Sequence, residues 1–443
     1  MSNALSIEQA LFLSQLAADV VGACRIAPGE VLTGYGPESQ SLRRGEGRWP
    51  VPAYGPNATG GALYRPGGRA CYPAFWIRDY AMSLASGLIT VEDRRHALLL
   101  TAHCQPLDDW RTPSRSLVPR GSVPDHITLD GKPIYFPGTV DDYENQGGIW
   151  GYRPPLDNQY FFVAMAWDLV FEGGSRTTLT QPVGEITLLD RLDLAFSVPD
   201  ACSESGLVRC DEQTRGVSFG FTDAVIHTGD LLFCSLLRHQ AARQMAQLYA
   251  LAGEPSRADD YADIAETISA HLCRVFAHES GLLRASSGKS AQPDVWGSAF
   301  AVYVGALPPA EAECVCRALL DAHRRGTISY QGNIRHVPTD ADYSATSAWE
   351  ETLGVPHNRY QNGAYWGTPT GWVAYALAQV DPDAALELAT AYITELQVND
   401  YRRTEEVGSP LECFHPEGDY AQNPVYMTSV TCPLAAFKRL QWM

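Results

Sequence analysis

The chain has 443 residues, 45% of them hydrophobic, with a formal net charge of -18 and a pI near 5.0. That length can bury a large core. The acidic balance excludes a nucleic-acid-binding role, which needs clustered Lys and Arg.

Met1 to Ala10 lacks a basic stretch followed by an apolar core, and no apolar run reaches the length of a membrane span. A cytoplasmic protein with no membrane partner is therefore expected. The eleven cysteines are an odd number, scattered singly apart from Cys314 and Cys316. They read as buried small hydrophobes in a reducing compartment, without a disulfide framework or a zinc pair.

Helical periodicity dominates in chain order. Residues 5–24 form a first amphipathic helix, and 30–75, rich in Gly, Pro and Tyr, an irregular segment. A helix is predicted over 79–103, then a second loop-rich stretch over 104–155 with a short strand at Ile134-Tyr135-Phe136. The apolar run after Asp157 reads as a buried helix, followed by a helix over 185–196 and a pair over 224–252 and 255–277. Further helices fit 295–304, 309–325, 341–353, 367–380, 383–397 and 424–440. Consecutive antiparallel helix pairs in this number predict an all-α (α/α)6 toroid, with the long Gly/Pro-rich loops gathered at one end. No linker composition divides the chain, so one domain over 1–443 is expected.

Phe75-Trp76-Ile77-Arg78-Asp79-Tyr80 sets an aromatic platform, a cation and a carboxylate at a helix entrance. Such a set suits polyols, which take hydrogen bonds from charged groups and stack a ring face on aromatics. Gln361 to Gly367, containing Tyr365 and Trp366, and Leu411 to Gly418, containing Glu412, are rich in the same residue types. Together they point to a carbohydrate-active enzyme.

Glycoside hydrolysis needs two carboxyl groups flanking the scissile bond. Glu412, in a late loop crowded with aromatics, is the first candidate. Its acid partner is Asp223, ahead of a strong helix, with Glu212 and Asp157 as competitors. Asp157, beside Asn158, is also what a plain helix start looks like. Asp79 suits binding better than proton donation, because its neighbour Arg78 should keep it ionised. The acidic run Asp141 to Gln146 has oxygen ligands enough for calcium but no recognised spacing, and His126, His227 and His415 are scattered, so no metal or cofactor is expected.

These stretches resemble the six-hairpin glycosidase superfamily, which includes glucoamylases, trehalases, processing α-glucosidases and α-L-rhamnosidases. Trp76-Ile77-Arg78-Asp79 looks like the element that grips the terminal sugar in glucoamylases. Glu412 to Gly418, followed by Tyr426 and Ser429, looks like the general-base element of processing α-glucosidases. The middle element is split: Gly216 to Thr222 resembles the stretch after the glucoamylase acid and would point to Glu212, whereas the processing α-glucosidase pattern points to Asp223, or loosely to Asp157. The resemblance implies an (α/α)6 toroid and an inverting, exo-acting hydrolase. In it Glu412 is the base, Asp223 or Glu212 the acid, Arg78, Asp79 and Asn158 bind sugar hydroxyls, and Trp76, Tyr365 and Trp366 stack on ring faces.

Three rivals share the toroid. A sugar epimerase would need paired histidines near the pocket, which are not evident in the sequence. A polysaccharide lyase would need basic residues around a uronate. A non-catalytic sugar-binding protein would not depend on Glu412.

Overall fold

Twelve α-helices account for most of the regular structure among the described residues. The structure is a computed structural model, and it describes residues 4–32, 55–69, 71–111, 116–135, 150–403 and 408–443. The helices are α1 Ile7–Cys24, α2 Ile77–Ser83, α3 Val91–Cys104, α4 Asn158–Phe171, α5 Leu188–Phe196 and α6 Leu232–Ala252. They continue as α7 Pro255–Phe276, α8 Val295–Tyr303, α9 Pro309–Arg324, α10 Thr370–Ala378, α11 Pro382–Val398 and α12 Thr428–Arg439.

Two kinds of helix alternate. α4, α8 and α10 are buried almost all round, and α1, α7 and α9 bury one stripe. A helix apolar on every side belongs inside, and an amphipathic one outside. The packing follows. α2 packs on α4, α4 on α6, α6 on α8, α8 on α10, α10 on α12, and α12 back on α2. Outside this cycle α3 and α5 lie on α4, α7 on α6, α9 on α8, α11 on α10, and α1 on α12. Helix starts are written locally. Ser6 with Gln9 and Thr187 with Asp190 form capping boxes, Thr90, Asp294 and Asp381 cap with their side chains, and Pro255 and Pro382 stand in first turns.

Several expectations are corrected. The helix expected over 79–103 is two: Gly87 adopts φ 75°, which ends the first, and Thr90 caps the second. Residues 341–353 are not helical, because Ser344 and Ser347 accept hydrogen bonds from the backbone N–H groups of Thr346 and Trp349 and hold turns instead. The helix expected from 224 begins at Leu232, and the one expected from 424 begins at Thr428. The short strand near Ile134 is Pro133–Ile134, while Phe136 and the Asp141–Gln146 run fall outside the described residues. α1 is in fact long and apolar enough to cross a membrane by length and composition. Here its Leu13, Leu16, Ala17 and Val20 are buried on the side where it meets α11 and α12.

The largest departure is a five-stranded antiparallel sheet, in the order Ser329–Tyr330, Asn333–Arg335, Tyr365–Trp366, Leu411–His415, Tyr420–Pro424. The residues around Glu412, expected to be loop, are its fourth strand. A smaller sheet joins Phe75–Trp76, His126–Ile127 and Pro133–Ile134, with Trp76 paired to His126.

Candidate active site

The strand Leu411–His415 pairs Leu411 with Pro424 and Cys413 with Gln422, which sets Glu412 opposite Asn423. Glu412 is only 1% exposed. Both of its carboxylate oxygens accept hydrogen bonds: Tyr72 Oη donates to Oε1 at 3.0 Å, and Asn423 Nδ2 to Oε2 at 2.5 Å. Burial pushes the Glu412 pKa up to about 8, against the pull of Asn423, Tyr72 and Tyr426. Tyr426 also donates to Asp79 Oδ1 at 2.8 Å, so its hydroxyl stands between the two carboxyls.

The backbone here is held in rarely populated conformations. Tyr72, Tyr360, Asn423 and Val425 have φ of 48°, 43°, 46° and 62°, in the left-handed region that non-glycine residues avoid. Such residues persist where surrounding contacts over-determine them, and they concentrate at functional sites. Tyr360 is pinned by Trp366 Nε1 donating to its carbonyl at 3.3 Å and by its own N–H donating to Tyr420 Oη at 3.2 Å. Its hydroxyl is hydrogen-bonded to Tyr72, and it feels the charges of both Asp223 and Glu412.

Asp223 closes a short 3-10 turn, Gly220–Thr222, well ahead of α6. Phe219 anchors that turn by stacking on Phe233 of α6 at 3.7 Å between ring centroids, and Phe233 stacks on Phe300 of α8 at 4.8 Å. Burying each such ring is worth about 1.5–3 kcal/mol. The Asp223 Oδ1 atom is enclosed without a hydrogen-bond partner, and burial raises its pKa to about 7 despite Arg78 and Gln361. Gln361 braces the turn from across the site: its Oε1 accepts from the Ala224 N–H at 2.7 Å, and its Nε2 donates to the Gly220 carbonyl at 3.2 Å.

Arg78 and Asp79 stand in the first turn of α2, as the sequence suggests. Arg78 Nε donates to Asp157 Oδ2 at 3.0 Å and Nη2 to Asp125 Oδ1 at 2.7 Å, with Asp125 Oδ2 in turn 2.8 Å from His126 Nδ1. Burial opposes the Arg78 charge, but Asp157 and Asp125 outweigh it and hold the guanidinium firmly protonated. For Asp79 the balance goes the other way. Burial exceeds the help of Arg78 and lifts its pKa to about 6, so the neighbour does not keep it fully ionised.

Asp223, Glu412, Arg78, Asp79 and Trp76 thus converge, with Trp76 stacked on His126 at 4.3 Å and in edge contact with Tyr72 at 5.1 Å. Other candidates do not serve as expected. Glu212 has a side chain 54% exposed and pairs with Lys289 at 2.6 Å and Arg215 at 3.6 Å, which makes it a surface ion-pair residue. Asp157 is fully buried and both its oxygens are engaged, by Arg78 and by the Gly220 N–H at 2.8 Å, so it anchors the Arg78 network. Asn158 donates to the carbonyls of Pro124 and Asp125 and positions that segment. Trp366 is 0% exposed and packed against Phe221, Trp296 and Tyr360, which leaves no ring face for a sugar. Tyr365 stacks on His415 at 5.5 Å.

By sequence, the chain matches no family model and none of the curated proteins. Solved structures do match. A rhamnosidase from Klebsiella oxytoca with rhamnose bound aligns over 100% of this chain and 66% of its own, at 13% identity and TM-score 0.55. A GH63 mannosylglycerate hydrolase from Thermus thermophilus, in complex with glucose, aligns over 85% of this chain and 95% of its own, at 13% identity and TM-score 0.52. A wild-type glycosidase aligns over 98% and 99%, at 13% identity and TM-score 0.54. What they share with this chain is a fold. It is of the six-hairpin glycosidase type, and this chain spans about two thirds of the rhamnosidase and nearly all of the other two.

Proposed function

We propose that this protein is a glycoside hydrolase built as one (α/α)6 toroidal catalytic domain, acting at the non-reducing end of an oligosaccharide or small glycoside. The observation that carries this reading is the pairing of two enclosed carboxyls on either side of Tyr360, one with donors on both oxygens and the other with an oxygen left without a partner. Glu412 accepts donors on both oxygens, which offset part of the burial that raises its pKa and orient it as a base. Asp223 keeps an oxygen without a partner, which favours the protonated form an acid needs. Asp223 protonates the glycosidic oxygen, Glu412 takes a proton from water on the opposite face, and the product is inverted. Asp79 holds sugar hydroxyls and Trp76 stacks on a ring face. Arg78, committed to Asp125 and Asp157, acts by fixing the floor under Asp79 and Asp223.

The mechanism is tested by offering a panel of aryl α- and β-glycosides, rhamnosides and natural disaccharides, and following the product anomer by proton NMR. Release of an inverted product supports the reading. A retained anomer removes the inverting scheme, and no hydrolysis of any member removes the hydrolase.

A sugar epimerase on the same scaffold is the second reading. The observation favouring it is that His227 and His336 both contact Trp349, with ring centroids 5.3 and 6.4 Å from it. Conversion of a free sugar to its epimer, without hydrolysis, would establish it.

A further inference from the structure

The short segment from His357 to Gly363 does two jobs. Gln361 holds the backbone on both sides of Asp223, and Tyr360 feels the charges of Asp223 and Glu412 together. The three residues before them bind elsewhere. His357 Nε2 lies 2.8 Å from Asp342 Oδ2, Asn358 Nδ2 donates to Glu417 Oε2 at 3.1 Å, and Arg359 Nη1 donates to the Glu417 carbonyl at 3.0 Å. The backbone does not choose this path by itself. Asn358 and Tyr360 have φ of 62° and 43°, which non-glycine residues hold only where surrounding contacts impose them.

Arg335 supplies such contacts at both ends of the segment. It pairs with Tyr365 in the five-stranded sheet and is 1% exposed. Its Nε donates to the Gly363 carbonyl at 2.9 Å, and its Nη2 to Asn358 Oδ1 at 3.4 Å. The fit is close, since a Cβ added at Gly363 would lie 2.6 Å from Nη2. Asp342 orients the guanidinium by a bidentate pair, accepting from Nη1 at 2.8 Å and from Nη2 at 2.9 Å. Among the described residues it is the one carboxylate paired with Arg335. Asp342 Oδ2 also meets His357, and because a carboxylate only accepts, His357 Nε2 carries the hydrogen between them. A buried guanidinium that loses its carboxylate is left uncompensated, so the whole clasp depends on Asp342.

We propose that Asp342, through Arg335 and His357, is a positioning residue for catalysis: it locks the segment carrying Tyr360 and Gln361, and so sets the geometry of Asp223 and Glu412 without touching either. Its effect on turnover rests on the glycosidase reading, whereas the lock is tested without turnover.

The experiment is hydrogen exchange of the full chain, read by mass spectrometry, in wild type, Asp342→Asn and His357→Phe, with kcat and KM measured alongside. The diagnostic peptide contains the Ala224 N–H, which donates to Gln361 Oε1 at 2.7 Å. Its exchange should rise about tenfold or more in Asp342→Asn and about threefold in His357→Phe, while α7 keeps its wild-type rate. Both kcat and kcat/KM should fall by about the same factor, with KM unchanged, because the lock meets no substrate. Wild-type exchange at Ala224 in both variants overturns the proposal. So does an equal rise in α7, which marks general destabilisation, or a loss carried by KM with kcat intact. If Asp342→Asn does not fold, His357→Phe decides by the same readings, since it alters a half-buried side chain. Loosening at Ala224 with no glycoside hydrolysed by the wild type keeps the lock and removes the hydrolase. Hydrolysis with no loosening in either variant does the reverse.

Discussion

Tyr72 and Glu412 are 340 residues apart in sequence and joined by a 3.0 Å hydrogen bond. Tyr72 leads into the Phe75 to Tyr80 stretch and Glu412 lies in the strand Leu411–His415, so this contact joins those two segments at the candidate site. Hydrogen bonds to a charged group contribute about 1.5–3 kcal/mol. Tyr72→Phe and Asn423→Ala should each lower kcat/KM by about tenfold or more. Both variants should also shift the acidic limb of the pH profile upward, because a carboxylate that loses a donor holds its proton more tightly. A limb that stays in place in both variants would show that these donors do not tune Glu412.

The pH dependence of the wild type follows from the same two carboxyls. Activity needs Glu412 ionised, which is gained as pH rises through about 8, and Asp223 protonated, which is lost as pH rises through about 7. The profile of kcat/KM should be a narrow bell between those values, read as a property of the pair. A plateau extending well below pH 6 would contradict it.

Stability should fall over the alkaline side of the same window. Burial raises the folded pKa of Glu412 to about 8 and of Asp223 and Asp294 to about 7, above the unfolded values. Between the unfolded and folded values the native state binds more protons, so the stability these groups contribute is full below pH 4 and lost as pH rises through 7 to 8. Melting temperature should decline from pH 6 to pH 9. Calorimetry showing it constant or rising would place these carboxyls in a more hydrated setting.

Gly220 allows Arg78 to approach the acid turn. A Cβ added there would lie 1.9 Å from Arg78 Nε, and the Gly220 N–H is also a donor to Asp157. Gly220→Ala should therefore displace the guanidinium and lower both stability and activity, by about 1–3 kcal/mol in denaturant titration. An alanine variant with wild-type stability would show that the turn and Arg78 part easily.

Leu117 to Ser122 reads as a thrombin recognition sequence, yet it should survive the protease. Arg120 is exposed, but Gly121 and Ser122 are buried and the Gly121 N–H donates to the Pro106 carbonyl at 2.8 Å. Cleavage requires a segment that can leave the surface. Gel analysis should show intact chain after thrombin treatment of the native protein, and cuts at Arg120 would show local opening there.

Much of the scaffold was legible because its signals are local. Apolar periodicity marked most of the helices. Arg78-Asp79 and Glu412 could be singled out as candidates because they stand in compact motifs. The sheet could not, since most of its strands are two or three residues long and exist through pairing between segments far apart. That pairing makes Asn423 a partner of Glu412, and no spacing in the sequence announces it. The choice among Asp223, Glu212 and Asp157 was likewise undecidable from residue type. It turns on Lys289 and Arg215 meeting Glu212 at the surface and on Arg78 occupying Asp157.

The most direct measurement is turnover by Glu412→Gln of whichever aryl glycoside the wild type hydrolyses, with sugar binding measured alongside. Glutamine keeps the shape of the side chain and still accepts from Tyr72, but it cannot take a proton from water. Loss of turnover by about 10²–10⁴-fold with sugar affinity retained is the predicted result. Turnover close to wild type would remove Glu412 from the mechanism and with it the two-carboxyl account of this site.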